Sequence, residues 1–248
     1  MPSHFSTIGI PIQSQDELLA LAQRVAGESV SHDTDQGYYL QWTSACGAEV
    51  WLQINQHNDL IGVNPHFSGK SRVRVGLKQR VIRPDSTELD GAWYGWADPA
   101  SDDPDSGCYP FVFDTPDFVR HQHIVPPSVV TVQAAAFAHE VSVFESAEAF
   151  DASQTSEFKF ASKSYIPAGT FIPDGAEREA PEAHAIFAGH ILETDMRTNQ
   201  LTGQAFCWAL VETLSATYDV VIDPELLDAL PQVGNVLHGS FWMSGRIV

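Results

Sequence analysis

Ten histidines, three cysteines and 32 acidic side chains are available for chemistry in this 248-residue chain, and their spacing decides what they can do. His121 and His123 form an HxH pair, which on an extended strand turns both imidazoles to one face. Such a pair can ligate a metal, yet no third ligand stands at fixed spacing, and Val125-Pro126-Pro127 marks a solvated connector. His139-Glu140, His184 and His190 lack the HExxH spacing of a helical zinc site and read as sheet residues. Cys46, Cys108 and Cys207 form no CxxC pair, so neither a disulfide framework nor a zinc knuckle is indicated. There is no GxSxG elbow, and no cysteine has an adjacent base; a triad assembled only in space would be hidden at this level. Of the phosphate-loop pattern GxxxxGK[ST], Gly69-Lys70-Ser71 supplies the last three letters alone. The aspartates of residues 98–105 are wrongly spaced for a calcium loop and read as a solvated surface loop.

Positive charge is the exception to this dispersal. Residues 69–84, GKSRVRVGLKQRVIRP, hold six of the 13 Lys and Arg residues and no acid. Val73, Val75, Leu77 and Val81 take odd positions and Arg72, Arg74, Lys78 and Arg80 even ones, which predicts a strand with one buried and one cationic face. Such a row can receive an acidic ligand or partner, with Trp93, Tyr94 and Trp96 as neighbouring aromatic anchors. It can equally pair with acidic side chains of the same chain, or guard an edge strand against aggregation. Arg72, Arg74, Lys78, Arg80, Trp93 and Trp96 are therefore the candidate binding residues.

The rest of the composition narrows the class. A net charge of -19 opposes phosphate-backbone binding, so no nucleic acid is expected. The content of 44% hydrophobic and 10% aromatic residues is that of a chain able to bury a core. No apolar run reaches membrane-spanning length, and MPSHFSTIGIPIQSQDE lacks the basic start and apolar run of a signal peptide. The expectation is a soluble cytoplasmic protein with no membrane partner, reduced cysteines and no cofactor.

These residues need elements to position them. HFSTIGIPI predicts a short strand; Ser14 or Gln15 opens a helix whose Leu18, Leu21, Ala22 and Val25 form one stripe before Gly27. GYYLQWTS and AEVWLQIN, turning at Ala45-Cys46-Gly47, predict a hairpin with Tyr39, Gln41 and Thr43 on one face. DLIGVNPHF follows as a strand. CYPFVFDTPDF, with Pro110 and Pro116, reads as an edge strand or extended segment. Beyond Pro126-Pro127 the chain reads as strands, VVTVQAAAFAHEVSVF, FASKSYIPAGTFI, AHAIFAGHILETDM, QAFCWALVET, TYDVVID and NVLHGSFWMSGRIV, with one short helix at ESAEAFDASQ. The fold class expected is α+β and β-rich. Residues 1–124 form an α+β module, and residues 125–248 a mostly antiparallel, OB-like barrel.

The strand, helix, strand, strand, strand order over residues 5–67 resembles the βαβββ module of the vicinal oxygen chelate, or glyoxalase-like, superfamily. The resemblance implies a metal held by His and carboxylate at facing strand ends, and the positions to inspect are His4, Glu49 and His66. The second half departs from that superfamily's paired modules. With no catalytic motif in view, the function expected is that of a non-catalytic binding or interaction protein, its partner a protein or a small anionic ligand. A metal-dependent enzyme of glyoxalase-like type and an acidic immunity-type protein are the alternatives.

Overall fold

Two sheets pack together, and the sequence shows why the central strand of the first is covered on both sides. A computed structural model describes residues 3–157, 159–171 and 180–248. The first sheet follows a helix, α1 (Gln15–Ala26). Ser14 Oγ caps it by accepting from Glu17 N, while Glu17 reaches back to the Gln13 N–H at 2.7 Å, a reciprocal arrangement worth about 1 kcal/mol. Strands β1 (Val30–Thr34), β2 (Gly37–Thr43), β3 (Ala48–Asn55) and β4 (Leu60–Phe67) then pair antiparallel in chain order. The predicted hairpin is β2–β3; its corner holds Gly47 at φ 94°, where a Cβ would stand 2.8 Å from the Phe67 ring. Along β3 nearly every residue is buried, because Val50, Leu52 and Ile54 share a core with Leu21, Ala22 and Val25 of α1, while Glu49, Trp51 and Gln53 point the other way.

The predicted first strand is corrected: residues 6–8 form a 3-10 turn. Its hydroxyls bond locally, Ser6 Oγ to Ser3 O and Thr7 Oγ1 to His4 O, and Gly9 leaves it at φ 74°. Those local bonds satisfy the backbone without a ladder. Ile8 and Ile10 are buried all the same.

The second sheet contains β5 (Val73–Val81), β6 (Ala92–Ala97), β7 (Tyr109–Asp114), β8 (Ser128–Phe144), β9 (Ser164–Ile166), β10 (His184–Thr198), β11 (Ala205–Glu212), β12 (Thr217–Ile222) and β13 (Val236–Ile247). The long strands β8 and β13 pair antiparallel over residues 132–144 and 236–247. On its other edge β8 takes β5 and then β12, and β13 takes β10 and then β7. Followed along their pairings, β8, β13, β10, β11 and β12 return to their start, and so do β8, β13, β7, β6 and β5. The sheet thus draws strands from both sides of residue 125. The short helix α2 (Ala147–Ser153) stands where ESAEAFDASQ predicts it, and Phe150 packs it on Ala188 and Val236. Of FASKSYIPAGTFI only β9 and a 3-10 turn at residues 168–170 are ordered as elements, and Ile172 lies outside the described residues. The run CYPFVFDTPDF becomes β7, paired with β6 on one side and touching β13 on the other, so it is not an edge. Among the described residues no helix is long and apolar enough to cross a membrane.

The basic run forms β5, which is interior rather than at an edge: β6 flanks it on one side and β8 on the other. Its odd face is buried as predicted, and a bulge at Lys78 shifts the register between Leu77 and Gln79.

Candidate ligand cavity

The two sheets do not meet through apolar side chains alone. On the first sheet Glu49, Trp51 and Gln53 of β3 and Asn64 and His66 of β4 share one face. Opposite them stand Gln133 of β8 and Ser244 and Arg246 of β13. Burying polar groups is costly unless each finds a partner, and here nearly all do. Glu49 accepts from Gln41 Nε2 at 2.9 Å and Trp51 Nε1 at 2.8 Å, and Arg246 lies 3.4 Å from it over the Trp51 ring.

His66 occupies the centre of this seam, wholly buried. Its Nδ1 is 2.8 Å from Ser244 Oγ and its Nε2 2.8 Å from Gln133 Oε1; Gln133 Nε2 donates to Asp219 Oδ2 at 3.0 Å. The chain of donors sets the tautomer. A carboxylate only accepts, so the Gln133 amide nitrogen faces Asp219 and its oxygen accepts the proton of His66 Nε2. Nδ1 is then the bare nitrogen, and Ser244 donates its hydroxyl hydrogen to it. Burial pushes the His66 pKa below the usual imidazole range; the Glu49 carboxylate opposes this and the Arg246 charge adds to it.

Asp219 anchors the far end. Besides Gln133 it accepts from Lys70 N at 3.0 Å, Ser71 N at 2.8 Å and Trp208 Nε1 at 2.9 Å. Gly69-Lys70-Ser71 therefore does cradle an anion, but one belonging to this chain. Gly69 is required there, because a Cβ would fall 2.2 Å from Asp219 Cγ.

At its other end the seam opens into a cavity of about 190 Å³. Ser244 and Asn64 contribute to its wall, with Arg83, Asp90, Asp114, Thr115 and Trp242 around them. Strand ends deliver these groups: Asp114 closes β7 and Thr115 follows it, Arg83 follows β5, and Ser244 of β13 lies in register with Asp114. Asp114 is held by Arg83 Nη1 at 2.7 Å and Trp242 Nε1 at 2.6 Å. Burial nevertheless raises its carboxyl above the ordinary range, outweighing the Arg83 charge and both hydrogen bonds. Asp90 accepts from Gln53, Asn64 and the Thr87 N–H. Two groups of the wall remain unanswered: Thr115 Oγ1, on a residue only 3% exposed, and Arg83 Nη2 are buried with no hydrogen-bond partner.

The residues predicted as sites lie in several parts of the molecule. Glu49 and His66 are indeed opposed across β3 and β4. His4 is not with them: its ring stacks on Trp242 at 4.3 Å, and its Nε2 is 2.8 Å from His139 Nε2. Among the described residues no three His, Cys, Asp or Glu side chains converge as a metal site. His121 ends a 3-10 turn rather than a strand and lies 3.3 Å from Asp117, with the His123 ring 6.4 Å away. The cationic row is met by its own chain. Arg74 donates to Pro99 O and Ser101 O and lies 3.7 Å from Asp102; Lys78 pairs with Asp105; Arg80 donates to Gln122 O and Ile124 O. Gly76, between them, lies directly beneath Pro104 of the acidic loop. Arg72 folds back on Gly69 O and Ser71 O. Trp93 is fully buried against Phe118 with Arg80 over its ring, and Trp96 is half-buried.

None of the residues of the seam and the cavity belongs to a sequence motif. The one available signal is a polar residue isolated in an apolar run: Gln133 in VVTVQAAAF, Asp219 in TYDVVID and Ser244 in GSFWMSG. Family models, curated proteins and solved structures, each compared with this chain, give no match.

Proposed function

We propose that this is a small-molecule-binding protein whose ligand enters the cavity between Arg83, Thr115 and Ser244 and presents an oxygen acceptor, as a carboxylate or carbonyl does. The observation that carries this reading is a polar cavity whose lining residues Thr115 and Arg83 each keep a buried donor, Oγ1 and Nη2, without a partner. Leaving them unpaired costs roughly 1–3 kcal/mol each, a cost that a ligand oxygen offsets. The cavity volume admits a small metabolite and no polymer. The ligand class is a small anionic molecule, held at Arg83.

The test is Thr115→Val. Its hydroxyl bonds to nothing in the free chain, so the variant should unfold within ~1 kcal/mol of wild type. Titrated by NMR with two- to six-carbon carboxylates and esters, wild type should bind at least one saturably, and the variant about 5- to 20-fold more weakly. No saturable binding across that panel, or equal binding by the variant, sinks the reading.

Two finer readings of the fold accompany it. The circuit of β8, β13, β10, β11 and β12 is read as a small OB-like barrel, supported by the pairing of each of its five strands on both edges. Of the glyoxalase-like outline of residues 5–67, α1 and strands after it are present, while the strand expected before the helix is a 3-10 turn.

A further inference from the structure

Among the polar groups of the cavity wall, Ser244 alone hydrogen-bonds to an imidazole, and it does so through the nitrogen that the rest of the seam keeps free of a proton. We infer that Ser244 is a nucleophile with His66 as its general base, and that the cavity carries out acyl transfer from small esters. The inference rests on the ligand reading above, because the ester must first enter that cavity.

The geometry supplies a nucleophile, a base and the groups that orient the base. Ser244 Oγ is 2.8 Å from His66 Nδ1, the distance of a hydrogen bond through which a proton passes. Gln133 holds the opposite nitrogen at 2.8 Å and is itself held by Asp219, so the ring cannot turn or change tautomer without breaking two further bonds. Gln133 and Asp219 are positioning residues: neither lines the cavity. Thr115 and Arg83 line the same cavity, and each carries a buried donor, Oγ1 and Nη2, without a hydrogen-bond partner.

The step balances. Ser244 Oγ attacks the ester carbonyl carbon and its proton passes to His66 Nδ1. The carbon–oxygen bond to the leaving alcohol then breaks, and His66 returns the proton to that alcohol. An acyl-serine remains, and water, deprotonated by the same nitrogen, hydrolyses it to the carboxylic acid and restores Ser244. The small carboxylate product is of the class proposed to bind Arg83.

4-Nitrophenyl acetate is the probe. Wild type should release nitrophenolate in a burst close to one equivalent, and peptide mapping of acid-quenched protein should find one acetyl group on Ser244. Ser244→Ala should lose the burst at least about 100-fold. Gln133→Leu keeps the hydroxyl and the imidazole but frees the ring, so its burst should slow with a displaced pH midpoint, which a merely structural loss would not move. Wild-type protein whose Ser244 stays unacetylated at saturating ester, or whose acetyl groups map to lysines alone, overturns the acyl-transfer step. If the carboxylate titration still shows saturable, Thr115-dependent binding in that case, the cavity reading stands while this one fails.

Discussion

Asp219 shows how much a single side chain can organise. It has no exposure and four donors, two of them backbone N–H groups and two from Trp208 and Gln133. An ionised acceptor so fully used is among the strongest polar arrangements a protein makes, and removing its charge leaves four buried donors poorly served. Asp219→Asn should therefore cost ~3 kcal/mol or more in urea unfolding. Gly69→Ala should cost a similar amount, since its Cβ would collide with that carboxyl group. A loss below ~1 kcal/mol for either would show that Asp219 is not the anchor described. Little of this was legible in the sequence. Alternation and apolar content located the strands bearing Gln133, Asp219 and Ser244, but which of their faces would meet the first sheet depends on contacts between residues as far apart as His66 and Ser244. Short-range periodicity carries no information at that separation.

Between strand and loop, the basic run answers the question of why so much positive charge is gathered in one place. The period-2 pattern of residues 73–81 was readable because strand pleating is local, and the buried odd face followed from it. The occupant of the other face was not readable, and it proves to be the acidic loop 98–105 together with the carbonyls of Gln122 and Ile124. Charge complementarity within the chain brings the two together: the loop is aspartate-rich and the strand beneath it cationic. Exposed ion pairs of this kind contribute only about 0.2–1 kcal/mol each. Arg74→Gln with Lys78→Gln should consequently leave the global unfolding midpoint nearly unchanged while amide exchange in 98–105 quickens severalfold, and Asp102→Asn with Asp105→Asn should reproduce the effect. Unaltered exchange in both pairs of variants would mean that Gly76 beneath Pro104, rather than charge, seats the loop. The N-terminal turn gives the opposite lesson. HFSTIGIPI has strand-like residues, but Ser6 and Thr7 hydroxyls and Gly9 close the backbone locally, and local hydrogen bonding overrides β-propensity.

The molecule as a whole is joined by neutral histidines, His66 wholly buried and the others partly so, and this makes its stability depend on pH. His4 docks the N-terminal segment on Trp242 and His139, His66 joins the two sheets, and His238 of β13 lies between the Phe150 and Phe160 rings. Burial lowers the pKa of all four: His4, with His139 beside it, falls to about 4; His139 is lowered further by His184 despite Glu140; His238 is lowered by burial alone. His66 is lowered in spite of Glu49 and Asp117, with Arg246 assisting. In the unfolded chain these rings take up protons near pH 6.5, whereas the folded ones resist until lower pH. Stability is thus fully present above about pH 6.5 and drains away as pH falls from there through the folded values. For His4 a displacement of that size amounts to roughly 3–4 kcal/mol. Asp114 acts in the opposite sense, because its raised folded pKa favours the protonated folded state as pH falls, but it is one group against four. The expected outcome is a thermal midpoint that drops steadily between pH 6.5 and 4, well before most carboxylates titrate, and a shallower drop in His4→Gln. A midpoint that stays flat over that range, or a His4→Gln profile parallel to wild type, would show that these histidines do not hold the elements together as neutral rings.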